Sequence, residues 1–305
     1  MNITAAAVKE LREMTGCGMM DCKRALTEAE GDKDKAIEIL REKGLAKAVK
    51  KAGRIASEGI VDTYVNADST VGSIIEVNSE TDFVAKNDEF KSFVATLAKI
   101  VAEKNPADVD ALKALDYGNG KTVDEILKEK IFTIGENMTI RRFARYEGNV
   151  VTYIHGGGRI GVMVNFDVEG EKGDVFAEAG KDIAMQVAAA SAQYLNREAV
   201  PAEVVDKEKE ILTQQALNEG KPANIVEKMI AGRINKFYQE VCLVDQEFIK
   251  DGDLSVKKYL DQKGKEIGGK IEIKEYVRFE KGEGLEKRED DFAAEVEKMA
   301  GKSAE

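Results

Sequence analysis

Residues 58–76 read EGIVDTYVNADSTVGSIIE, and residues 147–165 read EGNVVTYIHGGGRIGVMVN. Aligned from Glu58 and Glu147, the two stretches share Glu58/Glu147, Gly59/Gly148, Val61/Val150, Thr63/Thr152, Tyr64/Tyr153 and Gly72/Gly161. Each is a pair of β-branched and aromatic runs divided by turn-forming residues, the pattern of a β-hairpin. A hairpin that recurs predicts a duplicated α+β scaffold with antiparallel sheets. The duplication also isolates what the scaffold does not require. The first copy continues through residues 74–85 as IIEVNSETDFVA, where Thr81-Asp82-Phe83-Val84 falls opposite Gly170-Glu171-Lys172-Gly173 of the second. The tetrapeptide is an addition to the repeat.

Working outward, residues 88–104 place Phe90, Phe93, Val94, Leu97 and Val101 on one helical stripe, ended by Asn105-Pro106. Short helices over 109–115 and 123–132 complete the first half. The second half takes a strand at 139–145, hairpin strands at 150–155 and 160–167, and a helix over 174–194. Gly156-Gly157-Gly158 supplies positive φ for its turn. Residues 202–238 are helical in composition and fold back at Gly220-Lys221-Pro222. Val204, Ile211 and Leu217 facing Ile225, Met229 and Ile234 form the expected seam of this inserted antiparallel hairpin. A strand at 270–279, a Gly-rich link and a helix at 292–299 close the chain.

Ahead of the repeat, residues 1–44 predict a three-helix unit. Thr4 caps the first helix, with Val8, Leu11 and Met14 inward, and Gly16 and Gly18 break it. A second helix runs from Met19 to Glu30. Asp32 caps the third, which carries Ile37, Leu40 and Leu45 on one face and stops at Gly44. Lys43, Lys47, Lys50, Lys51 and Arg54 follow without an acid, as a solvated linker helix or as a contact strip for an acidic partner, Lys51 being counted among the partner contacts. The resulting division is 1–55, 56–140, 141–195 with 239–280, 196–238, and 281–305.

A chain of 305 residues suggests about two domains. Hydrophobic residues at 43% can build sizeable cores, and no apolar run approaches the roughly 20 residues of a membrane helix. The N-terminus has neither a secretory nor a transit pattern. Cys17, Cys22 and Cys242 make neither a disulfide framework nor a four-cysteine zinc site, so reduced, packed thiols in a cytoplasmic protein are expected. A net charge of −11 argues against a phosphate-neutralising nucleic-acid binder, and the absence of tryptophan against a base-stacking platform.

Catalytic motifs are weak. Gly118-Asn119-Gly120-Lys121-Thr122 lacks the first glycine of a P-loop, with Leu115 in its place. His155-Gly156-Gly157-Gly158 looks like an oxyanion loop, but no Gly-x-Ser-x-Gly nucleophile exists. His155 is the only histidine and cannot build a histidine metal site; no metal, no cofactor and no enzymatic activity is expected. Glu80 and Asp82 share a side if the strand continues, as an acid/base pair would. The plainer reading makes Asp82 a cap or turn former and Phe83 a core residue. Met19 and Met20 are about 100° apart on a helix, so one of them is free to be an exposed, adaptable contact.

Several segments together resemble the elongation factor Ts family, the nucleotide-exchange factors of the GTPase elongation factor Tu. They are VKELREMTGCGMMDCKRALTEAEGD at 8–32, EVNSETDFVAKN at 76–87, HGGGRIGV at 155–162, GKPANIVEKMIAGRINKF at 220–237 and EGLEKREDDFAAEV at 283–296. The resemblance spans essentially the whole chain. It implies a UBA-like N-terminal helical module, two pseudo-repeated core subdomains, a helical hairpin and a short C-terminal module. It further implies that Thr81, Asp82, Phe83 and Val84 disturb the partner's Mg²⁺ site. Arg12, Met19, Met20 and Lys23 then touch the partner's nucleotide-binding domain, and His155 meets another part of it. Ile154 stands where the family has glutamine, while His155 and Gly156 are kept. The expected partner is elongation factor Tu, with no direct nucleic acid and no membrane; dimerisation within the complex and the role of the hairpin are left open. A partner-binding scaffold without exchange activity is the alternative.

Overall fold

The computed structural model describes residues 3–118, 120–220 and 222–287. It opens with helices α1 (Ala5–Thr15), α2 (Met19–Glu28) and α3 (Lys33–Lys51). The Thr4 hydroxyl accepts the Ala7 N–H, and Asp32 Oδ1 accepts the Asp34 and Lys35 N–H groups, so both predicted caps form. Leu11, Cys22, Leu26 and Leu40 centre a small core.

Two expectations about this unit are corrected. Gly44 does not end α3; the helix continues to Lys51. A Cβ at Gly44 would lie 3.1 Å from the Phe132 ring, so this glycine serves close approach to the core rather than a left-handed stop. Met14 is 60% exposed rather than buried with Val8 and Leu11, because the helix stripe ends one turn earlier.

The repeat then unfolds as two matching sheets. In the first half come β1 (Glu58–Val65), β2 (Val71–Ser79), a one-turn helix α4 (Asp82–Lys86), α5 (Asp88–Lys104), α6 (Val109–Ala114), the small ribbon β3 (Asp116–Gly118) and β4 (Lys121–Thr122), and α7 (Val123–Ile134). Next are β5 (Met138–Glu147), β6 (Asn149–His155), β7 (Ile160–Glu169) and α8 (Asp174–Ala190). The sheets are antiparallel, in the orders β1-β2-β5 and, with β10 (Lys270–Glu280), β10-β7-β6. The strand near 139–145, expected in the second half, is β5 of the first sheet. Gly135 ends α7 in the left-handed region and the chain returns along β2, where Glu76 binds Arg142. Helix α8 also stops short of Tyr194, at Ser191 (φ 47°).

Strand alternation explains why β2 and β7 are buried on both faces. Ile75 and Val77 face α5, and Ser73 Oγ donates to the Ala98 carbonyl at 2.6 Å. Val162, Val164 and Phe166 face α8 in the same way. The opposite faces meet each other: Val61, Ile74, Val150, Met163 and Phe279 form one cluster between the sheets. Contacts here are reciprocal between repeat-equivalent residues. The Val61 N–H donates to the Gly158 carbonyl at 2.8 Å, and the Val150 N–H to the Ser69 carbonyl at 3.0 Å. A Cβ at Gly72 would fall 2.4 Å from Val150 Cγ1, and one at Gly161 would fall 2.4 Å from Val61 Cγ1. Both shared glycines exist for this approach.

Helices α9 (Ala202–Asn218) and α10 (Ala223–Val241) make the antiparallel hairpin, its base packed through Val200, Val205, Val241 and Cys242. The expected seam is only partly right. Ile234 is buried, but Ile211, Leu217 and Ile225 are 43%, 48% and 46% exposed. Val205, Ala216 and Val226 fill the interior instead. The ribbon β8 (Glu247–Phe248) and β9 (Asp251–Ser255) and helix α11 (Val256–Glu266) precede β10. The helix expected at 292–299 lies outside the described residues. Cys17, Cys22 and Cys242 are all buried, as expected of packed thiols. No described helix is long and apolar enough to cross a membrane.

Candidate functional site

The repeat shows where the added tetrapeptide went. Between β7 and α8 the link is residues 170–173; between β2 and α5 it is residues 80–87, and the extra chain forms α4. Val84 and Ala85 sink into the first-half core and hold the turn from beneath. Asn87 ends α4 and caps α5, its Oδ1 accepting the Glu89 N–H at 2.8 Å. Phe83 points the other way and is 79% exposed. The core-packing reading of Phe83 is therefore wrong: a buried Val84 beside it supplies the packing, and the helical turn sends the ring outward.

Asp82 is the first residue of α4 and is not its cap. Its carboxylate accepts from Lys86 Nζ at 2.6 Å, one turn on, and Lys86 also stands 5.9 Å from the Phe83 ring centroid. The donating Lys86 ammonium holds the Asp82 carboxyl below the usual carboxylate range, with the more distant charge of Lys281 adding to it. Asp82 and Phe83 thus present an anion and an aromatic ring side by side on a solvent-facing turn. Glu80 does not join Asp82 as an acid/base pair, because the strand ends at Ser79. The Glu80 carboxylate accepts the Asn137 N–H at 2.6 Å and pairs with Arg54 at 3.4 Å.

Thr81 is tied from outside the turn. Its N–H donates to Glu136 Oε2 at 3.0 Å and its hydroxyl to Glu136 Oε1 at 2.7 Å. Neither Glu136 nor Asn137 was singled out in the sequence, which holds no signal for contacts made across 55 and 57 positions.

The N-terminal module offers a second surface. Arg12, Met19, Met20 and Lys23 are all exposed, Met19 at 46% and Met20 at 63%. Both methionines, rather than one, face solvent, and Met14 joins them. An open cleft of about 550 Å³ lined by Met14, Gly16, Asn87 and Ile134 connects this module to the residue that ends α4. Lys51 is half-buried and donates to the Gly135 carbonyl; Lys43 pairs with Glu28. These cations of the basic strip, with Arg54, have partners within the chain.

His155 sits apart from Phe83, at the exposed end of β6. Its Nδ1 is 3.1 Å from the Tyr153 hydroxyl, and Gly158 of its turn docks on β1. The Lys281 N–H donates to the Arg159 carbonyl of this turn at 2.9 Å, and the Lys281 ammonium pairs with Glu58 at the start of β1. Among the described residues, no group of three or more His, Cys, Asp or Glu is placed to hold a metal ion.

Comparison with known proteins converges on one family. A family model described as Elongation factor TS matches residues 80–283, which contain the Phe83 turn, β5, the β6–β7 pairing and the hairpin. Elongation factor Ts of Clostridium perfringens (strain SM101 / Type A) is 57% identical over 303 residues, covering 98% of this chain and 100% of the relative. That of Clostridium kluyveri (strain ATCC 8527 / DSM 555 / NBRC 12016 / NCIMB 10680 / K1) is 55% identical over 302 residues, 97% and 98% of the two chains. That of Clostridioides difficile (strain 630) is 53% identical over 300 residues, 98% and 99%. With an added turn on a duplicated scaffold and relatives matched along nearly their whole length, this chain belongs to the elongation factor Ts family.

Proposed function

We propose that the chain binds elongation factor Tu in its GDP-bound form and speeds GDP release by disturbing the partner's Mg²⁺ and phosphate site. Membership of the family supports the exchange role in translation elongation, which is cytoplasmic. The observation that carries the finer reading is Phe83, an aromatic ring 79% exposed on a turn whose neighbours are anchored in the core. A ring kept out of water's reach stabilises a fold; one held in solvent on a rigid mount is available to another surface. Phe83 acts as an apolar wedge, and Asp82 competes for groups that order the partner's metal shell. Met19, Met20, Arg12 and Lys23 grip the nucleotide-binding domain, and the His155 turn meets a second part of the partner.

The magnitudes are within reach of such contacts. Each 1.4 kcal/mol removed from nucleotide binding weakens it about tenfold. Linkage makes the effect reciprocal, so an incoming nucleotide weakens the factor's own hold equally and releases it. The test is stopped-flow release of fluorescent GDP from elongation factor Tu, with and without this protein. Saturable acceleration is expected. Tight binding with no acceleration at saturation would replace this reading with that of a partner-binding scaffold.

A further inference from the structure

The α4 turn poses a positioning problem. Five residues of helix do not hold themselves in place in water. Threonine before a helix ordinarily caps it, its hydroxyl accepting an N–H of the first turn. Thr81 makes no such bond. Its hydroxyl is turned outward as a donor to Glu136 Oε1 at 2.7 Å, while its N–H reaches Glu136 Oε2 at 3.0 Å. Both oxygens of one carboxylate are committed to the residue that starts the turn.

The loop that carries Glu136 has a second attachment. The Gly135 carbonyl accepts from Lys51, and Asn137, buried, donates through Nδ2 to the Arg54 carbonyl at 2.8 Å. Glu80 closes the arrangement by accepting the Asn137 N–H at 2.6 Å. Residues 135–137 therefore hold the segment that leaves the N-terminal module and the segment that enters the Phe83 turn.

We propose that Glu136 is a positioning residue for exchange: by binding Thr81 through both carboxylate oxygens it holds Phe83 at a fixed place relative to the Met19–Met20 surface. The proposal rests on the exchange reading above. A partner then meets two contact surfaces already in register, and the ordering cost of a loose turn is not charged against insertion of the ring. Glu136 acts through Thr81 and need not touch the partner.

The experiment is the same GDP-release assay on the full chain, titrated to saturation. Glu136→Ala should lower the saturating rate about tenfold, the scale of one to two lost hydrogen bonds, with a smaller change in the half-saturating concentration. Glu136→Gln, which keeps a carbonyl acceptor, should recover most of that loss. In a Phe83→Ala background Glu136→Ala should cost nothing further, because there is no ring left to position. Hydrogen exchange on the free chain should quicken over residues 81–86 in Glu136→Ala and stay unchanged in the sheets. An unchanged saturating rate, an equal loss with and without Phe83, or unaltered exchange at 81–86 overturns the proposal. If Glu136→Ala does not fold, Thr81→Val removes the hydroxyl bond alone and carries the same comparisons. Failure of the wild-type chain to accelerate release would sink the exchange reading instead, while the hydrogen-exchange comparison still decides the clamp.

Discussion

At Phe83 the ring contributes little to folding, since most of it is in water. Phe83→Ala is expected to change stability by less than about 0.5 kcal/mol, as for an ordinary surface substitution, while lowering catalysed GDP release. Denaturant melts beside stopped-flow rates check both; a loss of about 3–5 kcal/mol would mark a core aromatic instead. Asp62 behaves oppositely. Burial pushes its carboxyl up, against the Thr63 N–H it accepts at 2.8 Å. A carboxyl whose folded pKa is raised penalises folding at neutral pH, and the penalty fades as pH falls through the folded value. Asp62→Asn should therefore stabilise the protein near neutral pH and give no gain below the unfolded value of about 3.9. Urea melts across that range decide it, and a gain persisting in acid would rule out the charge as its cause. The sequence showed Asp82-Phe83 as an addition, but generic packing rules put Phe83 inside. Only the backbone turn, with Val84 taking the buried place, decides which apolar neighbour is exposed.

Elements were most legible where the chain punctuates itself. Asn105 ends α5 as the sequence reading had it, by adopting φ 47°, while the side-chain cap that Asn87 supplies at its start was not named there. Gly44 misled because glycine marks both helix ends and close contacts, and the Phe132 ring it makes room for is remote in sequence. The hairpin seam was misread for a related reason: small Ala216 occupies the interior, while larger Ile211 and Leu217 flank it. The glycines between the sheets give a sharp test. Gly161→Ala forces a Cβ to 2.4 Å from Val61 Cγ1, and overpacking of this kind costs about 1–3 kcal/mol. A denaturation midpoint equal to wild type would show that the two sheets can separate without penalty.

Across the whole molecule the two halves meet at a buried charge. Glu76 is fully buried and accepts from Arg141 at 2.9 Å, Arg142 at 2.6 Å and the Gly282 N–H at 2.8 Å. It thus ties the first sheet to the segment that follows β10. Glu76→Ala would remove the carboxylate that Arg141 and Arg142 share, leaving Arg142 its pairing with Glu283 at 3.1 Å, a loss of about 3 kcal/mol, the lower end for a broken buried pair. Calorimetry should show a lower transition for both halves together; a variant in which only one half melts early would mean that the halves fold independently. This tie is also why β5 was assigned to the wrong half. The hairpin repeat is visible in local spacing, but the partner of a third strand depends on contacts such as Glu76–Arg142, made 66 residues apart. The family resemblance recovered the overall plan because it reads many such contacts at once.

The unequal links after β2 and β7 give the molecule a built-in blank. Residues 170–173 already span the same strand-to-helix step that residues 80–87 span with α4 added. Grafting Gly170–Gly173 in place of 80–87 should yield a chain with intact circular dichroism and an N-terminal module still able to grip, yet mute in exchange. One half of the duplicated scaffold carries a bare joint where the other carries a tool, and the bare joint is the template for removing it.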